Sequence, residues 1–142
     1  MANFVDNMDM KLNHLRKSKN RDKVIEILKN SNLPMSIEDI YLNLKQTNNS
    51  LALSTVYRII DKLTSLNITQ EAVKDGDRSL YELTGSNHNH YLMCTSCKKV
   101  VPLDICPIHE IEDSIIKKTG FKISGHNFQI FGECPECSKK LN

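Results

Sequence analysis

Apolar residues recur three and four positions apart over three early stretches of the chain, the spacing that lines one face of a helix. Val24, Ile27 and Leu28 form the first stripe, with Ser18 or Asn20 as its capping residue. Leu33-Pro34-Met35-Ser36 breaks it, and Ser36 followed by Asp39 resembles a capping box with Asp in the Glu position. Ile37, Ile40, Tyr41 and Leu44 stripe a second helix. Val56, Ile59, Ile60 and Leu63 stripe a third, predicted from about Leu53 to Ser65. The pattern then changes to strand-like runs, Thr69 to Lys74 and Ser79 to Leu83, around the turn signal Asp75-Gly76-Asp77. Three helices followed by a two-stranded hairpin is the element order of a winged helix-turn-helix, whose last helix enters the major groove while the hairpin touches the backbone.

The outer faces of the third predicted helix present Ser54, Thr55, Tyr57, Arg58, Lys62 and Ser65. Core packing with a solvated far side is the plain reading of such a helix. A local basic bias favours DNA instead: Lys11, Arg16, Lys17, Lys19, Arg21, Lys23 and Lys29 face only Asp22 and Glu26 between residues 11 and 29. These charges lie in the helices expected to cross the phosphate backbone.

Beyond residue 87 the pattern mixes strands with one helix. Tyr91-Leu92-Met93 and Val100-Val101-Pro102-Leu103 read as strands, and Ile108, Ile111, Ile115 and Ile116 stripe a helix ending at Gly120. Phe121-Lys122-Ile123 and Phe128-Gln129-Ile130-Phe131 read as a strand pair bent at Gly125. All five cysteines and four of the five histidines follow residue 87, whereas the first 84 residues hold 12 basic and 11 acidic side chains and no cysteine. That shift predicts a domain boundary near Thr84-Gly85-Ser86-Asn87, a polar turn-like stretch. The fold class expected from this order is α+β, a winged helix-turn-helix followed by a small α/β unit of mixed strands and helix. A unit of about 55 residues is small for a core of its own, and zinc and a second subunit would both support it.

Overall charge adds less. Across 142 residues, 19 Lys and Arg against 17 Asp and Glu give a formal +2, too little to mark the whole molecule as a polyanion binder. No apolar run approaches the roughly 20 residues that span a bilayer. The first residues have neither a basic nor an apolar leader character, so a soluble, cytoplasmic chain with no membrane partner is expected.

The cysteines carry more chemistry. Cys94-x-x-Cys97 and Cys134-x-x-Cys137 stand 36 residues apart, each offering two thiolates at the bite that tetrahedral zinc requires. The alternative is two unrelated pairs of reduced or redox thiols. Four thiolates make a closed, structural site. Zinc held this way carries a net charge of about −2, cancelling the chain's formal +2. His88 and His90 share one face if extended, and His109 and His126 follow, with Glu82 or Glu110 as oxygen alternatives. This set suits a second Zn²⁺ better than Mg²⁺ or Ca²⁺. Cys106 is most simply a buried thiol; as part of Cys106-Pro107 it is alternatively an extra ligand or a haem contact.

Taken together, these motifs resemble the ferric uptake regulator (Fur) family of bacterial metal-responsive repressors, over nearly the whole chain. The resemblance rests on Arg16-x-Ser18-x-x-Arg21, Ser54-Thr55-Val56-Tyr57-Arg58, Leu80-Tyr81-Glu82-Leu83, His88-x-His90-x-x-x-Cys94-x-x-Cys97 and Gly132-x-Cys134-x-x-Cys137. Cys106-Pro107, nine residues past Cys97, looks most like the zinc uptake regulators (Zur) of Gram-positive type. The resemblance implies a homodimeric repressor of a palindromic double-stranded DNA operator, with 1–84 as a winged-helix DNA-binding domain and 85–142 as a small α/β dimerisation and metal-binding domain with a four-cysteine zinc site. Tyr57 and Arg58 would contact DNA, and Arg16 and Arg21 would contact phosphate. It also implies structural zinc on Cys94, Cys97, Cys134 and Cys137. Aligned without gaps, His88, His90, His109 and His126 fall on the dimerisation-domain ligand set. A one-residue shift would instead group Glu82, His88 and His90 as the sensing site.

The chain departs from the family pattern at several positions. Asn89 and Tyr91 stand where sensing histidines are usual, Leu33-Pro34 where a hinge histidine is usual, and Leu83 where zinc sensors carry a cysteine. Pro102 replaces the Asp of the peroxide sensors. Zinc is the expected sensed ion, with Fe²⁺ or Mn²⁺ as alternatives. An enzyme is the rival class, since His88-Asn89-His90 spells HNH superficially, but an HNH nuclease spreads its catalytic residues along a ββα unit. No catalytic residue and no small-molecule substrate are expected.

Overall fold

The computed structural model describes residues 4–47, 51–85 and 89–140, and the chain divides into two units, Met1–Asn87 and His88–Asn142. The first unit opens with α1 (Phe4–Asn13), an element that the hydrophobic pattern did not announce. It is followed by α2 (Lys19–Asn30), β1 (Met35–Ser36), α3 (Ile37–Gln46), α4 (Leu53–Ser65), β2 (Thr69–Asp75) and β3 (Arg78–Leu83). The three striped helices stand where their periodicity predicts. Their stripes, with Met8 of α1 and Ile68 after α4, close one core in which Val24, Ile40, Val56, Ile60 and Leu63 are fully buried. Burying each such side chain contributes about 1.5–3 kcal/mol, enough to set the phase of every helix.

Local chemistry fixes the ends. Ser18 caps α2 by accepting from the Arg21 N–H at 3.3 Å, and Ser36 caps α3 by accepting from the Asp39 N–H at 3.1 Å. The Ser36–Asp39 box closes on one side only, because the Asp39 carboxylate is drawn to Arg78 of β3 at 3.4 Å. Ser36 is 1% exposed, so Ser36→Ala leaves an N–H unmatched in a dry place. It is expected to cost about 0.5–2 kcal/mol, read as a lower urea midpoint with an unchanged slope.

The hairpin of β2 and β3 turns at Gly76, where φ is +60°, and a bulge shifts the register between Glu71 and Val73. The break at Leu33–Ser36 is also a strand: Met35 pairs with Tyr81 and Ser36 with Leu80, giving an antiparallel sheet in the order β1-β3-β2. Two residues are too few to show a period of two, which is why the sequence pattern missed them.

The second unit contains β4 (His90–Cys94), β5 (Val100–Leu103), α5 (His109–Thr119), β6 (Ile130–Gly132) and α6 (Pro135–Lys140). Gly120 ends α5 with φ +72°, as its position predicts. The expected strand pair at Phe121–Ile123 and Phe128–Phe131 does not form. Only Ile130–Gly132 is a strand, and it runs parallel to β4 with Cys94 opposite Gly132. The reason lies in the knuckles: the Thr95 N–H donates to the Gly132 carbonyl at 2.8 Å, which docks β6 on the central strand and leaves Phe121 72% exposed. Among the described residues, the buried side chains of this unit are His90, Tyr91, Met93 and Cys94, and α5 has none. Among the described residues, no helix is long and apolar enough to cross a membrane.

Candidate metal centres and nucleic-acid interface

The parallel pairing of β4 with β6 puts Cys134, two residues beyond Gly132, beside Cys94 at the end of β4. The first knuckle bends through Lys98, a non-glycine residue at φ +67°, so that its N–H reaches the Cys94 carbonyl at 3.0 Å. The first turn of α6 returns Cys137 to the same point, its N–H donating to the Cys134 sulfur at 3.4 Å. The four sulfurs lie within 4.8 Å of one another, and none is in a disulfide.

Zinc–sulfur bonds of about 2.3 Å in a tetrahedron give sulfur–sulfur edges of about 3.8 Å. The Cys97–Cys134 edge is 3.8 Å. Backbone N–H groups of Cys97 and Cys134 directed at its sulfur hold the Cys94 thiol at about 6. The side-chain hydrogen bond with Cys134, followed by burial, pushes Cys137 up to about 12. Four thiolates do not coexist here without a cation, and the geometry fits zinc.

A second donor set lies in the same unit. His90 at the start of β4, Cys106 between β5 and α5, and His126 between Gly120 and β6 bring their ligand atoms within 4.8 Å of one another. His126 Nδ1 is 2.5 Å from the Glu112 carboxylate on α5. His109, three residues before Glu112 and on the same helix face, stands at the rim with its Nδ1 3.7 Å from Glu112 and its side chain 74% exposed.

The candidate ligands chosen from sequence thus divide. His90 and His126 converge, and His109 stands beside them. Glu110 is exposed and absent from the cluster, because residues two apart on a helix point to different sides and Glu112 has the inward phase. Glu82 lies on β3 in the other unit, accepting from Gln70 Nε2 at 2.9 Å. His88 lies outside the described residues. Cys106, whose plain sequence reading is a buried thiol, joins the donor set, and Glu112, which no motif singles out, stands behind His126. The three-residue spacing of His109 and Glu112 was the available signal for the second.

In the first unit, α4 buries Val56, Ile60 and Leu63 and leaves Ser54, Tyr57, Arg58 and Lys62 exposed. Thr55, Arg58, Ile59 and Lys62 join Ser18 and Arg21 of the α2 start around a cavity of about 230 Å³. Arg21 donates from Nη1 to the Arg16 carbonyl at 3.0 Å, fixing the turn that carries Arg16, which is exposed. Tyr57 donates its hydroxyl to Glu38 at 2.7 Å, and that hydrogen bond raises its pKa, so the phenol is neutral. It borders a second, larger cavity of about 440 Å³ that includes Glu38, Asp39 and Asp77. Of these two hollows, the first presents cations without carboxylates and is the one suited to a phosphate.

A winged helix on one unit and thiolate and imidazole donor sets on the other define a metal-binding protein of the DNA-regulator class. The sequence pattern of the ferric uptake regulator family matches residues 12–131, and the chain belongs to that family. It is 30% identical over 134 residues to the ferric uptake regulation protein of Helicobacter pylori (strain ATCC 700392 / 26695), covering 93% of this chain and 88% of that one. The solved structure of the H. pylori regulator superposes with a TM-score of 0.82 at 26% identity, over 95% of this chain and 91% of that chain. That protein is described as having three functional metal binding sites. The Vibrio cholerae regulator gives a TM-score of 0.80 at 25% identity, over 91% of this chain and 99% of its own. Members of the family are metal-responsive transcription regulators rather than enzymes.

Proposed function

We propose that this chain is a homodimeric, metal-dependent transcriptional repressor that senses zinc and binds a palindromic operator. The observation that carries this reading is the coexistence of a closed four-cysteine set and a separate histidine-rich set in one unit. A closed set has no free position and serves structure; the other is the place for an exchangeable, regulatory ion. Imidazole and thiolate donors favour zinc over manganese or iron by softness, which supports the zinc branch of the family over its iron branch.

A second copy is supported by the surface of the metal-binding unit. Ile111, Ile115 and Ile116 of α5 are 52%, 42% and 41% exposed, with Ile130 and Phe131 of β6 at 42% and 46%. An apolar helix stripe and a short strand left in water belong against another protein surface, and a family of symmetric regulators supplies a second copy of the same face.

For DNA, Ser54, Thr55, Tyr57, Arg58 and Lys62 on α4 would meet the major groove, with Arg16 and Arg21 at the phosphates. The regulatory ion would select the dimer geometry in which both recognition helices fit successive major-groove faces. Zinc on neutral imidazoles also adds positive charge, which assists backbone affinity. Arg58→Ala should weaken operator binding by about 1–3 kcal/mol. Fluorescence anisotropy over a salt series checks it. If Arg58 reads a base, specificity relaxes at one position, and if it reads a phosphate, the salt slope falls by about 1. An unchanged affinity and slope would remove α4 from the interface.

A further inference from the structure

We propose that Cys106 is a thiolate ligand of the second metal centre, forming with His90 and His126 a His₂Cys site for a zinc-class cation, with Glu112 behind His126 as its positioning carboxylate. The proposal rests on reading that centre as a metal site and specifies its chemistry.

The ligand atoms meet from three separate segments of chain. His90 Nε2 and His126 Nε2 are 3.1 Å apart, and Cys106 Sγ is 3.3 Å from the same His126 nitrogen. Tetrahedral zinc, with bonds of about 2.0–2.1 Å to nitrogen and 2.3 Å to sulfur, sets nitrogen–nitrogen edges near 3.3 Å and nitrogen–sulfur edges near 3.6 Å. Both observed edges sit within a few tenths of an ångström of those values, before any ion draws the donors into place.

The protonation pattern agrees with the distances. Glu112 accepts from His126 Nδ1 at 2.5 Å, which fixes the proton on Nδ1 and turns the Nε2 lone pair towards His90 and Cys106. One lone pair facing a second imidazole nitrogen and a sulfur is the arrangement in which a cation satisfies all three. A carboxylate behind a ligating imidazole is also the usual outer partner of a metal-bound histidine, orienting the ring and raising its basicity.

The surroundings are suited to holding an ion. His90 is 5% exposed, the side chains of His126 and Glu112 are 15% and 18% exposed, and the Phe128 ring lies 4.0 Å from that of His90. Water is kept from one side and the charges act in a low dielectric. Among the described residues three protein donors meet here, against four at the closed four-cysteine site, and a three-donor set lets the ion exchange. A thiolate in the set selects zinc and cobalt over manganese.

The test uses the full-length reduced protein with zinc in the four-cysteine site, titrated with one equivalent of Co²⁺. A sulfur-to-cobalt charge-transfer band in the near ultraviolet is expected, together with intense tetrahedral visible bands. Cys106→Ser should abolish the charge-transfer band while one zinc per chain and the far-ultraviolet circular dichroism are retained. Glu112→Gln should keep the band and weaken cobalt binding by about 10–100-fold. Cobalt binding without a sulfur band overturns the assignment of Cys106 and leaves the metal centre standing. A band that survives Cys106→Ser comes from the other cysteines and also overturns it. Failure to bind cobalt at all removes the second metal centre itself.

Discussion

Cys134→Ser is expected to release one zinc per chain and to unfold the second unit. Few of the described side chains are buried there: His90, Tyr91, Met93 and Cys94 are the buried members, and α5 contributes none. Such an interior cannot offset the chain entropy of about 55 residues. The four-cysteine site fastens the end of β4 to the segment after β6, closing a loop that the short β4–β6 ladder holds through only three register pairs. A structural zinc contributes on the order of 10 kcal/mol, more than any side-chain contact in the unit. Metal content by mass spectrometry and loss of ellipticity would record the change together. Full zinc content in the variant would show that the sulfurs do not act as one site.

Ile60→Ala carries the second largest expected effect, and it falls on the other unit. Ile60 is 0% exposed at the centre of the stripe that seats α4 on the first core. Removing its outer carbons loses their transfer free energy and leaves a cavity that close-packed neighbours fill only in part, at about 2–5 kcal/mol. The urea midpoint of the first unit should fall by that free energy divided by an unchanged slope, while the zinc content stays at the wild-type level. DNA affinity should fall only as far as the folded fraction does, because Ile60 faces away from the exposed side of α4.

Periodicity and spacing explain which parts of this molecule were legible in its sequence. The stripes of α2, α3 and α4 each repeat over several turns, and burial then fixes their phase. The paired Cys-x-x-Cys motifs are local geometry written directly into spacing. α1 and the two-residue β1 lack such a signal, and their places are set by packing on the first core and by pairing with β3. The strands expected around Gly125 failed because β6 takes its partner from β4, a choice made by the knuckle contacts and invisible in the run of apolar residues itself.

The second metal centre shows the same limit at the level of chemistry. His90 and His126 were legible as donors, but Cys106 stood alone in the sequence with no partner cysteine at knuckle spacing. It meets His126 only because an irregular loop before α5 and an irregular segment after it converge, and irregular backbone has no period to read. Glu112 is hidden for another reason: the isoleucine stripe marks Ile111, Ile115 and Ile116 as the packed face of α5, whereas these are exposed and Glu112 turns inward to His126.

The central claim is that metal controls DNA binding, and anisotropy of a fluorescent operator measures it most directly. An operator obtained by selection from random duplexes would be titrated with protein holding only its four-cysteine zinc, and again after one further equivalent of Zn²⁺ per chain. A coupling free energy of about 1–3 kcal/mol between ion and DNA, or 5–150-fold in affinity, is the expected gain, and His90→Ala should abolish it. Equal affinity with and without the second equivalent of zinc, in the wild-type protein, would contradict the account.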